Sequence, residues 1–220
     1  MRKTLTLIIL ITSSLHATAD AALLSRLGGA AVYDTVRNIT WIADADLGLT
    51  NAFGAGVINL DGSMTWATAQ SWIAGMNQAN YLGYNDWRLP ATPQPDSSCT
   101  VQSGGGGYGY NCTSEMSALF FALGGVVGNT LAQVHNADYS LFSNIQTTPY
   151  WSTEYAYYTP FAWRVNVSTG YQDAYTKNSF AFALAVRAGD VVVPAPAAAW
   201  LFVTGMLAAA SATRRRRKPA

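Results

Sequence analysis

Catalysis needs nucleophiles, bases or metal ligands within reach of one another, and this 220-residue chain carries few of them. Its two histidines are His16 and His135. No Gly-x-Ser-x-Gly elbow and no His-Glu-x-x-His pair occurs. Gly104 to Gly107 is glycine-rich but lacks the Lys and Ser/Thr that a phosphate-cradling loop requires. Carboxylates remain. Asp44, Asp46 and Asp61 would place hard oxygen ligands around one loop, which is calcium-like chemistry, yet Asp44-Ala-Asp46-Leu-Gly48 lacks the ligand spacing of an EF-hand. Asn85-Asp86 is a second oxygen-rich pair. It reads more simply as a turn whose side chains bond backbone amides while Trp87 and Leu89 enter the core. Arg88 reads as the partner of a buried carboxylate, and Glu154 as a loop carboxylate without an evident partner. Two carboxylates meeting in space would allow glycoside hydrolysis, so a glycan-acting enzyme stands as the alternative to a non-enzymatic protein. No catalytic or cofactor-binding residue is assigned, and calcium is the one cofactor in view.

Contact chemistry is better supplied. Tyr108, Tyr110, Tyr155, Tyr157 and Tyr158 each offer an apolar ring and a hydroxyl at low entropic cost, which suits a ligand-binding surface. Packing of the loops themselves is an equal reading of the same residues. The only cysteines, Cys99 and Cys112, flank Ser103-Gly-Gly-Gly-Gly-Tyr-Gly-Tyr110. In an oxidising compartment they are expected to form a disulfide. Closing a loop of about 14 residues would stabilise the fold by roughly 3 kcal/mol.

The elements that must position these groups follow from periodicity. Ala31-Val-Tyr-Asp34 and Ile39-Thr-Trp-Ile42 read as short strands around a turn. Thr65 is placed to cap a helix whose apolar face is Trp66, Ala69, Ile73 and Met76, with Trp72 beside them, and Gly83 to end it. Asn85 to Pro90 reads as a compact strand stopped by proline. A second helix is expected from Ser114 to Leu123, with Glu115 suiting its dipole. The stretch from Gly124 to Pro149 reads as mostly irregular. Tyr150 to Tyr155, Phe161 to Val167, Tyr171 to Thr176 and Phe180 to Val186 are strand candidates. Alternation of Phe161, Trp163, Val165 and Val167 with polar or small residues predicts one buried face. The fold class is α+β: two helices on a meandering, largely antiparallel sheet.

The ends read as addresses. Arg2 and Lys3, an apolar run from Leu5 to Leu15 and Ala17-Thr-Ala19 form a signal peptide, residues 1–21, cleaved after Ala19 or Ala21. Its apolar run of about 11 residues is short of the roughly 20 that a membrane span takes. At the other end, Val193-Pro194-Ala195-Pro196 precedes an apolar segment at about 197–213, near the short limit of a span. Arg214, Arg215, Arg216, Arg217 and Lys218 then hold the terminus on the cytoplasmic side. Between the addresses, residues 22–190 form one domain. Of 13 Lys and Arg, two precede Asp20 and five follow Thr213, leaving six against the 12 acidic residues from Asp20 to Asp190, a net charge of −6 over residues 20–190. So acidic a body is a poor nucleic-acid binder, because that affinity comes from phosphate neutralisation.

The layout of a short proline motif, a helix and an arginine cluster resembles the PEP-CTERM sorting signal of exopolysaccharide-producing Gram-negative bacteria, with Ala195 where that signal commonly has Glu. The resemblance implies export, a transient stay in the inner membrane, and processing by an exosortase-type protease toward the envelope or the exterior. Within the body, Thr65-Trp-Ala-Thr-Ala69, Gly83-Tyr-Asn-Asp-Trp-Arg-Leu-Pro90 and Ser114-Glu-Met-Ser-Ala-Leu119 occur in order. Tyr150-Trp-Ser-Thr153, Ala162-Trp163, Gly170 and Ala185-Val-Arg187 follow. This series resembles the Lcl (Legionella-collagen-like) C-terminal domain family, a domain of unknown function, over roughly Ala31 to Asp190. That resemblance implies a C-type-lectin-like fold, with two helices packed on small twisted antiparallel sheets with long loops. The family's namesake binds sulfated polysaccharide, which implies an adhesin-like, biofilm-associated protein binding polysaccharide or other surface components. The net charge of −6 speaks against an anionic ligand. Several disulfides and a Glu-Pro-Asn calcium cluster, typical of sugar-binding C-type lectins, have no counterpart here. A structural matrix protein without a defined ligand is the further alternative.

Overall fold

Short runs of β-branched and aromatic residues fold back through tight turns where a polar side chain can satisfy the turn's amides. The computed structural model describes residues 23–94, 96–102 and 108–191. Strands β1 (Leu23–Arg26), β2 (Ala31–Asp34) and β3 (Ile39–Ile42) form an antiparallel meander. The expected β2–β3 hairpin is present: the Asp34 carboxylate accepts from the backbone N–H groups of Val36 and Arg37, at 2.9 and 3.0 Å. A single turn, α1 (Leu47–Thr50), and the helix α2 (Trp66–Gln78) come next.

The Thr65 hydroxyl caps α2 by accepting from the Thr68 N–H at 3.2 Å, and the helix buries Ala69, Trp72, Ile73 and Met76. The helix ends earlier than expected. It stops at Gln78, Asn80 takes the left-handed conformation (φ 47°), and Gly83 lies beyond, in a separate short turn. Asn80 tolerates that conformation through its short polar side chain. Asn77 meanwhile binds both backbone groups of Trp87, at 2.8 and 2.9 Å, and so draws the chain back along the helix.

Two residues of β4 (Val101–Gln102) pair with β5 (Gly109–Tyr110), and α3 (Glu115–Ala122) starts from its Ser114 cap. Strands β6 (Pro149–Glu154), β7 (Phe161–Asn166), β8 (Tyr171–Thr176) and β9 (Val186–Ala188) complete the chain. One sheet has the order β1-β2-β3-β9 and the other β4-β5-β8-β7-β6, with every ladder antiparallel. The architecture is therefore mixed, with few helices on two small antiparallel sheets.

Two expected strands are not ladder strands. Asn85 to Pro90 makes a single bridge, Arg88 to Val186. Of Phe180 to Val186, only Val186 enters a ladder, that of β9 with β3; Ala181 bridges Met64 and Phe182 bridges Tyr150. The segment from Ala181 to Val186 is wholly buried. It passes between the two sheets, bonding to β3 through Ala185, to β6 through Phe182 and to Met64 through Ala181, so its composition looks like a strand while its partners change from residue to residue.

One continuous core joins the sheets through α2 and α3, from Val32 and Trp41 to Tyr150, Trp151 and Val165. Buried indoles keep hydrogen bonds where they can: Trp72 to the Asn51 carbonyl at 2.8 Å, and Trp151 to the Met64 carbonyl at 2.8 Å. Among the described residues no helix is long and apolar enough to cross a membrane. The expected signal peptide (1–21), the motif Val193 to Pro196, the span at about 197–213 and the basic residues Arg214 to Lys218 lie outside the described residues, as does 103–107.

Candidate functional site: an aromatic end of the second sheet

The loop joining β6 to β7 carries three of the five candidate tyrosines, and its shape is held by one side chain. Gln94 donates from Nε2 to the Glu154 carbonyl at 2.6 Å and accepts with Oε1 from the Ala156 N–H. Gln94 reaches this loop because Thr92 runs beside β6: its hydroxyl meets that of Ser152 at 2.8 Å, and its N–H donates to the Thr153 hydroxyl. Backbone bonds from Tyr155 N–H to Phe161, Tyr158 N–H to Tyr155 and Lys177 N–H to Pro160 complete the frame.

Beneath the loop, Trp163 is fully buried, with Tyr155 and Tyr108 set edge-on at 5.0 and 5.5 Å between ring centroids. Tyr108 and Tyr155 also touch each other, and Tyr155 touches Tyr157. Burial, then the hydrogen bond to Tyr155, pushes the Tyr108 phenol up to about 12. The Trp163 indole N–H is buried without a hydrogen-bond partner among the described residues. Tyr108 and Tyr155 thus serve packing, whereas Tyr157 and Tyr158 are 60% and 56% exposed and present their rings to solvent. Tyr110 stands apart, packed against Tyr171 at 5.0 Å.

The Cys99–Cys112 disulfide is formed. A buried polar chain ties its loop down: Gln172 on β8 donates to Asp96 at 2.6 Å and accepts from the Ser114 hydroxyl at 2.5 Å. Among the described residues, Asp96, Cys99 and Cys112 are the one group whose potential metal-ligand atoms converge, and the two sulfurs are bonded to each other.

All six cations among the described residues are paired with carboxylates. The pairs are Arg26–Asp190, Arg37–Asp34, Arg88–Glu115, Arg164–Asp173, Lys177–Glu154 and Arg187–Asp86. Glu154 therefore has a partner, contrary to expectation, and Asp86 holds Arg187 rather than capping its own turn. Arg88 grips Glu115 with two bonds of 2.7 Å, and Glu115 also accepts from the Ala91 N–H. Among the described residues, no cation pairs with Asp44, Asp46 or Asp61. Asp44 accepts from the Asn144 side-chain amide at 2.9 Å, and Asp61 from the Ser63 N–H and hydroxyl. Asp46 is buried, and one of its oxygens has no partner. Burial first, then the charges of Asp44 and Asp61, raise its carboxyl to about 6. That oxygen lies against Gly62, where an added Cβ would sit 1.9 Å away, so the carboxylate faces backbone rather than a ligand cage. His135 stacks on Tyr139 in an exposed loop.

The pattern for the Lcl C-terminal domain matches residues 30–187. The chain belongs to the Lcl C-terminal domain family. No curated protein and no solved structure matches it. Within this Lcl C-terminal domain the motif residues serve the frame: Trp87 and Leu89 are core, Arg88 pins the Asp-Trp-Arg-Leu-Pro segment to α3 through Glu115, and Trp151 and Trp163 are fully buried. The site residues that sequence reasoning missed are Gln94, Tyr175 and Phe180. Tyr175 was within reach, because Tyr171, Asp173 and Tyr175 share one face of β8 by period two. Gln94 carried no local signal.

Proposed function

We propose that this protein is a non-enzymatic component of the cell surface or extracellular matrix that binds polysaccharide through the aromatic end of its second sheet. In this reading the domain has a C-type-lectin-like fold. A signal peptide directs export from a Gram-negative bacterium. The C-terminal segment holds the chain in the inner membrane until an exosortase-type protease processes it toward the envelope or the exopolysaccharide. The observation that carries the binding role is the pair of exposed rings, Tyr157 and Tyr158, on a loop already fixed by Gln94 and by the Tyr155–Trp163 packing. Rings held in place before binding lose little entropy on meeting a sugar face.

The test is a titration of the full chain, with its disulfide formed, against the producing cell's own exopolysaccharide, with calcium and with a chelator. Saturable binding indifferent to chelation, and weakened at least about fivefold by Tyr157→Ala with Tyr158→Ala, is the expected result. Absence of saturable binding overturns the reading, and steady release of oligosaccharide would replace it with the enzymatic alternative.

A further inference from the structure

The same end of the sheet carries more than the loop tyrosines. Strand β8 finishes beside the β6–β7 loop: Thr176 pairs with Phe161, and the Lys177 N–H donates to the Pro160 carbonyl at 2.8 Å. Tyr175, 43% exposed and paired with Ala162, and Phe180, 54% exposed, lie on the segment that adjoins this loop. These adjoining segments thus carry four exposed rings.

The charges beside them are already neutralised. Arg164 binds Asp173 through two bonds of 2.7 and 3.0 Å, and its guanidinium lies 3.8 Å over the Tyr175 ring. Lys177 binds Glu154, and its ammonium lies 4.5 Å over the Trp66 ring. A sulfate or carboxylate arriving here would find both cations held twice over, by an acid and by a ring. A chain of hydroxyls would find rings to stack on, and fixed ion pairs that still present unused donor and acceptor positions.

We infer that the end of the second sheet bearing Tyr157, Tyr158, Tyr175 and Phe180 selects an uncharged glycan over an anionic one. This rests on the polysaccharide-binding reading above and adds the ligand's charge class and two contact residues, Tyr175 and Phe180.

Affinity electrophoresis of the full chain at pH 7, in polyoxyethylene detergent, tests it with gels containing galactomannan or dextran sulfate. The expected result is retardation by galactomannan that is unchanged between low and 0.5 M salt. Tyr175→Ala with Phe180→Ala should weaken it about tenfold, the loss of one strong contact. Both positions are exposed, and an unchanged melting temperature confirms that the variant is folded. Retardation by dextran sulfate that salt abolishes overturns the charge class while leaving polysaccharide binding intact. Retardation by galactomannan that the double variant does not alter overturns the placement. No retardation in either gel, together with no binding to the producer's exopolysaccharide, removes the functional reading beneath it; binding to that exopolysaccharide alone overturns only the uncharged class.

Discussion

Asp46 sits where charge is least welcome, buried near Asp44 and Asp61 with no cation among the described residues to offset it. Its nearest donor is the Gln146 amide at 3.4 Å, and its other oxygen faces Gly62. Its carboxyl titrates at about 6 in the folded chain, against 3.8 as a free group. A raised folded value means that the folded state binds the proton more tightly. The contribution to stability is complete below about pH 4 and lost as pH rises through 6, an effect on the order of 2 kcal/mol. Asp46→Asn keeps the shape and removes the titration. Melting temperatures at pH 5 and pH 8 should differ less in this variant than in the parent, and the variant should be the more stable at pH 8. An identical pH dependence in both proteins would show that Asp46 is not the group responsible. The sequence marked Asp44, Asp46 and Asp61 as an oxygen-rich set but not this outcome. Whether neighbouring carboxylates bind a cation or a proton depends on how their oxygens point, and local spacing does not carry that.

At the level of elements, three devices hold the described residues between Asp96 and Ser114. These are the disulfide, the Asp96–Gln172–Ser114 chain, and Tyr108 against Trp163. Replacing both cysteines by Ser should cost about 3 kcal/mol by releasing the unfolded loop. It should also dull the near-ultraviolet circular dichroism of the Tyr108–Trp163 contact, since a looser loop holds Tyr108 less firmly. A variant with unchanged denaturant midpoint would show that the polar chain suffices alone. Local signals served well where an element is defined by its neighbours in sequence. Thr65 caps α2, the β2–β3 hairpin turns on Asp34, and Ser114 starts α3. They failed for Phe180 to Val186, because an apolar run records burial but not which partner does the burying. They failed also at the end of α2, where Asn77 rather than a glycine decides how the chain leaves.

Across the whole molecule, the two sheets share one core, so they should not unfold separately. Tryptophan fluorescence and far-ultraviolet circular dichroism are expected to report coincident transitions in denaturant; two resolved transitions would mean that the sheets are independent units. The net negative charge of residues 20–190 was plain from composition, as was the scarcity of catalytic groups. Composition did not reveal that every described cation is spent on a carboxylate, because several partners lie far apart along the chain: Asp86 with Arg187, Arg26 with Asp190, Glu154 with Lys177. The sequence by itself determined the α+β class, the family, the cap residues, the disulfide and most strand positions, since each depends on residues close together or on a repeating period. Only the tertiary structure decided which tyrosines face solvent, which carboxylate is stranded, and which segment runs beside the loop of Tyr157 and Tyr158. Those follow from long-range packing, which sets exposure and charge partners by distances in space that no local pattern encodes.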